Sequence, residues 1–72
     1  MDVPRATPVQ LTVYDMRGRY VRTLLTSALA SGTYHAVWDG TDVDGRDSAS
    51  GTYIARLQVG AMQATRKMVL VR

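Results

Sequence analysis

The side chains best able to do chemistry gather in one stretch, Trp38 to Tyr53, with the sequence WDGTDVDGRDSASGTY. It holds the only tryptophan, four of the six acidic residues and three of the six glycines. Asp42-x-Asp44-Gly45 has the spacing of the middle of a calcium loop, where carboxylates alternate ahead of an obligatory glycine. Extended in both directions, that frame puts its first ligand on Gly40 and its bidentate glutamate on Gly51, neither of which has a side chain to offer. Asp39, Asp42, Asp44 and Asp47 are therefore weak candidates for a looser metal site. The stronger expectation is that short aspartate side chains bond to nearby backbone N–H groups and hold a long turn in shape. No metal and no cofactor is expected.

Catalysis has little to work with. His35 is the only histidine and reads as a surface residue in mid-strand. No serine lies in a Gly-x-Ser-x-Gly context. A paired-carboxylate hydrolase needs two acids facing each other across a cleft; here four of the six acids are close neighbours in one loop. There is no cysteine, so neither a disulfide nor a cysteine-bound zinc holds the chain. Trp38, Tyr34, Tyr53 and Tyr14 could stack on sugar rings, but a chain without phenylalanine needs such residues for its core. The expectation is a domain that is not an enzyme.

The elements that must carry these residues are strands. Pro4 and Pro8 keep the first eight residues extended, a lead-in to a domain spanning 9–72. Val9 to Tyr14 alternates Val9, Leu11 and Val13 against Gln10, Thr12 and Tyr14, the period of a half-buried strand. Asp15-Met16-Arg17-Gly18 is a turn, and Arg19 to Thr26 returns as the second arm of a hairpin. Tyr20, Val21, Leu24 and Leu25 break strict alternation, which predicts a bulge near Arg22-Thr23. Ser27 to Gly32 is a loop. Thr33 to Asp39 is a third strand with Tyr34, Ala36 and Trp38 on one side. Gly51 or Thr52 to Val59 is a fourth, Gly60-Ala61 a tight turn, and Met62 or Gln63 to Val71 the last. In that strand either Met68 and Leu70 or Val69 and Val71 face the core. Five strands at short intervals predict a small antiparallel β-sandwich.

At 72 residues with a formal charge of +3, this is one domain or part of one. Met1-Asp2-Val3 reads as an added start ahead of a segment taken from a larger protein. A chain this short has a core worth only a few kcal/mol of net stability. Its nine basic residues are spread along the sequence and do not interleave with aromatics, so a nucleic-acid platform is not expected. No apolar run approaches the roughly 20 residues of a membrane span.

Three motifs together carry a family resemblance. Val9 to Leu24 reads V-x-L-x-V-Y-D-x-x-G-R-x-V-R-x-L. Gly32 to Asp42 reads GTYHAVWDGTD. Gly45 is followed by Ser50-Gly51-Thr52-Tyr53-Ile54-Ala55-Arg56-Leu57, and the chain closes on Arg66-Lys67-Met68-Val69-Leu70-Val71-Arg72. The combined spacing of YDxxGR, WDGxD and SGxY over about nine-tenths of the chain resembles the FlgD-type Ig-like domain. That family is similar in turn to the C-terminal sorting domains of the type IX secretion system. The resemblance implies an Ig-like β-sandwich of five to seven strands in which Trp38, Asp39, Gly40, Gly45, Gly51 and Tyr53 are structural. It also implies a non-enzymatic module that directs an exported bacterial protein through the periplasm to the cell surface or medium. The implied partner is the outer-membrane export machinery, read through the last strand: Lys67, Met68, Val69, Leu70, Val71 and Arg72. The alternatives are an accessory module for polysaccharide or calcium, or a structural spacer as in the flagellar hook cap. Family members usually have one more strand upstream of Val3-Pro4-Arg5. Without it, an unpaired sheet edge is expected, open to self-association by dimerisation or strand exchange.

Overall fold

A computed structural model describes residues 2–3, 6–30, 32–34 and 37–71, and for residues 2 and 3 the backbone alone. The described residues form six strands and no helix: β1 (Asp2–Val3), β2 (Thr7–Asp15), β3 (Tyr20–Leu29), β4 (Gly32–Thr33), β5 (Gly51–Val59) and β6 (Met62–Leu70). Four of them make one antiparallel sheet in the order β3-β2-β5-β6, and β1 pairs with β4 as a separate two-stranded piece. The fold is all-β, as the alternation predicts: one open four-stranded sheet of a small Ig-like sandwich.

Two hairpins set the register. In the first, Asp15 bends the chain: its Oδ1 accepts from the N–H groups of Arg17 (2.9 Å) and Arg19 (2.9 Å), and its carbonyl accepts from Gly18 (3.0 Å). In the second, Val59 faces Met62 across Gly60-Ala61. Gly60 has φ +57 and no described residue other than glycine has positive φ, which matches the type II′ requirement for glycine at the first central position.

Two register shifts interrupt the β2–β3 pairing. Leu11 faces Leu25 but Thr12 faces Thr23, leaving Leu24 extra; Val13 faces Arg22 but Tyr14 faces Tyr20, leaving Val21 extra. The predicted bulge near Arg22-Thr23 is thus a pair of bulges on either side of it. They explain the broken alternation. Val21 and Leu24 are three apart and would point to opposite faces of a regular strand, yet both pack into one core.

Register makes the sheet two-faced. Val9, Val59 and Met62 lie in one row, then Leu11, Leu57 and Ala64, then Val13, Ala55 and Arg66. The opposite face carries Gln10, Gln58 and Gln63, then Thr12, Arg56 and Thr65, then Tyr14, Ile54 and Lys67. The core is Val13, Val21 and Tyr53, with Leu24, Trp38, Met68 and Leu70 packed against it. Met68 and Leu70 are therefore the inward pair of the last strand, and Val69 and Val71 stand 72% and 82% exposed. Thr12 departs from the simple pattern. It lies on the polar face but is buried, because β2 is central and its neighbours Thr23 and Arg56 flank it on both sides.

Two expectations need correction. The segment Ser27 to Gly32 is not all loop: β3 runs on to Leu29, since β2 starts at Thr7 and supplies Thr7, Pro8 and Val9 as partners for Leu29, Ala28 and Ser27. Tertiary pairing overrides the weak local preference of Ser-Ala-Leu. The third strand, Thr33 to Asp39, is realised only as Gly32–Thr33 on β1. Val37, Trp38 and Asp39 take no regular structure, and His35 and Ala36 lie outside the described residues. Alternating side chains make a strand only where a neighbouring backbone takes up the hydrogen bonds, and among the described residues β1 pairs with Gly32 and Thr33 alone.

The sheet is sparsely covered. The accessible surface is 5137 Å², against about 4,400 Å² for a compact chain of this mass. The molecule is elongated, 36 × 20 × 17 Å.

Candidate functional site

Two regions stand out: the acidic loop on one side of the sheet and the free edge β6 on the other. The loop is built from its own side chains. Trp38 packs edge-on against Tyr53, with ring centroids 4.9 Å apart and planes at 64°, and its Nε1 donates to the Thr41 carbonyl at 2.8 Å. Tyr53, from the start of β5, donates its hydroxyl to the Ala49 carbonyl at 2.6 Å. One aromatic pair thus ties both ends of the loop to the core. Gly45 has φ +79 and closes an inner turn by donating its N–H to the Asp42 carbonyl at 3.0 Å.

The aspartates serve this turn. Asp39 Oδ1 accepts from the Thr41 N–H (3.0 Å) and hydroxyl (2.6 Å), and Asp42 Oδ1 accepts from the N–H groups of Asp44 (2.9 Å) and Arg46 (3.0 Å). Thr41 and Asp47 form an isolated antiparallel bridge around it. Arg22 on β3 reaches over, donating to the Thr41 hydroxyl and standing 3.7 Å from Asp39. The Val43 N–H donates to the Val21 carbonyl at 3.0 Å, so the loop is stitched to β3 by backbone as well. The Thr41 hydroxyl and N–H, with Arg22 alongside, hold the Asp39 carboxyl below its ordinary value of 3.8. Among the described residues no three His, Cys, Asp or Glu side chains gather closely enough to hold a metal ion. The Asp39-Gly40-Thr41 spacing, an Asx-type turn, was the signal for Thr41; nothing local marks Arg22, whose partners are 17 and 19 residues away.

The other region is β6. It pairs with β5 over all nine of its residues and, among the described residues, with no strand on its other side. Because Val59 and Met62 close a two-residue hairpin, Met62, Ala64, Arg66, Met68 and Leu70 turn their backbone groups toward β5. The N–H and C=O groups of Gln63, Thr65, Lys67 and Val69 then point outward along the free edge. Beneath this edge the apolar face is open as a groove of about 440 Å³, lined by Leu11, Leu24, Trp38, Leu57, Met68 and Arg66 among others. Tyr34 lines it too, alongside Trp38, although no described strand joins the two. Of the expected partner-binding residues, the structure puts Lys67, Met68, Val69 and Leu70 in β6 and Val71 just beyond it. Arg72 lies outside the described residues.

No helix among the described residues is long and apolar enough to cross a membrane. Comparison with curated proteins and with solved structures gave no match. A family profile, that of the FlgD Ig-like domain, matches residues 3–64. It takes in both arms of the bulged hairpin, the Trp38–Tyr53 loop and β5, and stops at Ala64, three residues into β6. With most of its length inside that match and an open antiparallel sheet for a core, this chain belongs to the FlgD Ig-like domain family.

Proposed function

We propose that the chain is a non-enzymatic sorting or attachment module that takes an exported bacterial protein through the type IX secretion system to the cell surface. Family membership supports a structural Ig-like module. The sorting role draws on the joint spacing of YDxxGR, WDGxD and SGxY. The observation that carries a docking role is the free β6 edge, a nine-residue strand with one side unpaired among the described residues. An unpaired edge is a template for another chain, and a module that offers backbone groups and an apolar groove is equipped to be gripped rather than to catalyse. In this proposal Lys67 to Arg72 are what the export machinery reads.

The test is a secretion assay. The segment is fused to the C-terminus of a fluorescent reporter with a standard export signal. It is then expressed in a bacterium with a working type IX system. Surface or medium localisation that disappears when the system is deleted supports sorting. Periplasmic retention of a folded fusion contradicts it. The second reading is a structural spacer of the hook-cap kind, which the family itself favours; a spacer leaves export of the parent unchanged when removed. A module for polysaccharide or calcium is the third class, checked by binding assays at the Asp39–Asp47 loop.

A further inference from the structure

Charge is divided unevenly along the chain. Residues 48–72 hold four of the nine basic residues and none of the six aspartates. On β5, Arg56 is satisfied once the Gln63 amide is turned to place its oxygen toward the guanidinium: Nη2 and Nε then donate to it at 2.7 and 2.8 Å. Arg66 and Lys67 differ. They lie side by side in the middle of β6, one on each face of the sheet, opposite the uncharged Ala55 and Ile54. The described carboxylates sit at Asp15 and in the Asp39–Asp47 loop, where Asp39 stands in an ion pair with Arg22. Arg66 and Lys67 both border an otherwise mostly apolar groove. An edge with outward backbone groups, two cations that have no carboxylate partner among the described residues, and an adjoining apolar groove has a definite complement.

We propose that β6 accepts an extended, acidic protein segment as a fifth strand of the sheet. Main-chain bonds form to Gln63, Thr65, Lys67 and Val69. Apolar side chains of the guest lie beside Ala64 and Met68, and two adjacent carboxylates of the guest meet Arg66 and Lys67 on opposite faces. Strand addition of this kind takes affinity from backbone pairing and specificity from alternate side chains. Arg66 also selects against a second copy in the centred register. A two-fold antiparallel pairing centred on β6 sets Arg66 opposite Arg66, and like charges directly opposite destabilise a sheet. The guest's class rests on the proposed docking role of β6, but its test is separate from export.

The probe is a capped ten-residue peptide of alternating threonine and valine with two adjacent glutamates at its centre; the control replaces the glutamates by lysines. Titrated into the full chain at low salt, the glutamate peptide is expected to bind saturably and at least about tenfold more tightly than the control. Backbone amides of Thr65 and Lys67 become protected from exchange. Thr65→Pro removes one outward N–H without touching a bond to β5, and is expected to abolish binding while the circular dichroism stays that of the parent. Arg66→Glu with Lys67→Glu is expected to reverse the preference toward the lysine peptide, which keeps the proposal testable if the proline variant unfolds. Equal binding of both peptides, no saturation at millimolar peptide, or a peptide-free dimer that protects the same amides each overturns it. A reporter that is exported while the chain ignores the peptide sinks strand addition alone; a chain that binds the peptide while its reporter stays in the periplasm sinks sorting alone.

Discussion

The Trp38–Tyr53 loop and strand β6 treat their polar groups in opposite ways. In the loop, the carboxylates of Asp39 and Asp42 turn inward onto N–H groups two and four residues away, and Arg22 and Thr41 close the remaining gap to β3. In β6, four residues direct backbone groups outward, and Arg66 and Lys67 have no carboxylate partner among the described residues. The loop looks the more chemical in sequence and is the more self-contained in structure. Residue type suggests what chemistry a segment is capable of; whether that capacity is left over for a partner depends on how much of it the fold has already used.

The contrast can be broken most forcefully at Trp38. Trp38→Ala removes the ring that locks the loop onto Tyr53, at a cost of about 3 kcal/mol for a partly buried indole. That is comparable to the whole net stability of so small a domain, so urea denaturation is expected to show little or no cooperative folding. A melt like the parent's would mean that the loop is not anchored there. Gly45→Ala meets no atom within 4 Å, so only the left-handed backbone opposes it. A loss of about 1 kcal/mol is expected by the same assay. Asp42→Ala leaves two N–H groups without their acceptor and is expected to cost about 1 kcal/mol. Val69→Thr changes an exposed β6 side chain and is expected to shift stability by less than about 0.5 kcal/mol. If Val69→Thr proved as costly as Asp42→Ala, β6 would not be the open region described above.

Acid sharpens the same comparison. The folded Asp39 carboxyl titrates below 3.8, so the Asp39–Thr41–Arg22 contacts contribute fully above that value and are lost as pH falls through the lower folded one. Trp38 fluorescence is expected to stay constant down to about that region and change beneath it. Asp39→Ala should remove this low-pH step, whereas β6, which has no acid, contributes none.

Much of the fold was legible because strands announce themselves locally. Val9 to Tyr14 and Tyr53 to Val59 alternate over runs long enough to fix their period, and Asp15 and Gly60 mark their turns. The broken spacing of Tyr20, Val21, Leu24 and Leu25 even located the bulges. The third strand misled, because Thr33 to Asp39 has the alternation of a strand while its hydrogen bonding depends on a neighbouring backbone that spacing cannot reveal. The last strand's inward face was ambiguous for a related reason. Met68-Val69-Leu70-Val71 is apolar at every position, so only pairing with Tyr53 and Gly51 decides that Met68 and Leu70 face the core. In the loop, the turn-holding role of the aspartates could be read from Asp-x-Asp-Gly, but the bracing by Arg22 could not. The openness of β6 was likewise invisible locally, since an edge strand and an inner strand can share one sequence pattern.

Amide hydrogen exchange on the dilute monomer tests the central claim most directly, residue by residue along β6. Ala64, Arg66 and Met68 are expected to be protected, and Thr65, Lys67 and Val69 to exchange close to the rate of an unstructured chain. In the same spectrum the Asp42 and Gly45 amides, bonded within the loop, are expected to be protected. Slow exchange at Thr65 and Lys67 in a chain shown to be monomeric would mean that the edge is already covered, and would contradict the assignment of β6 as the docking strand.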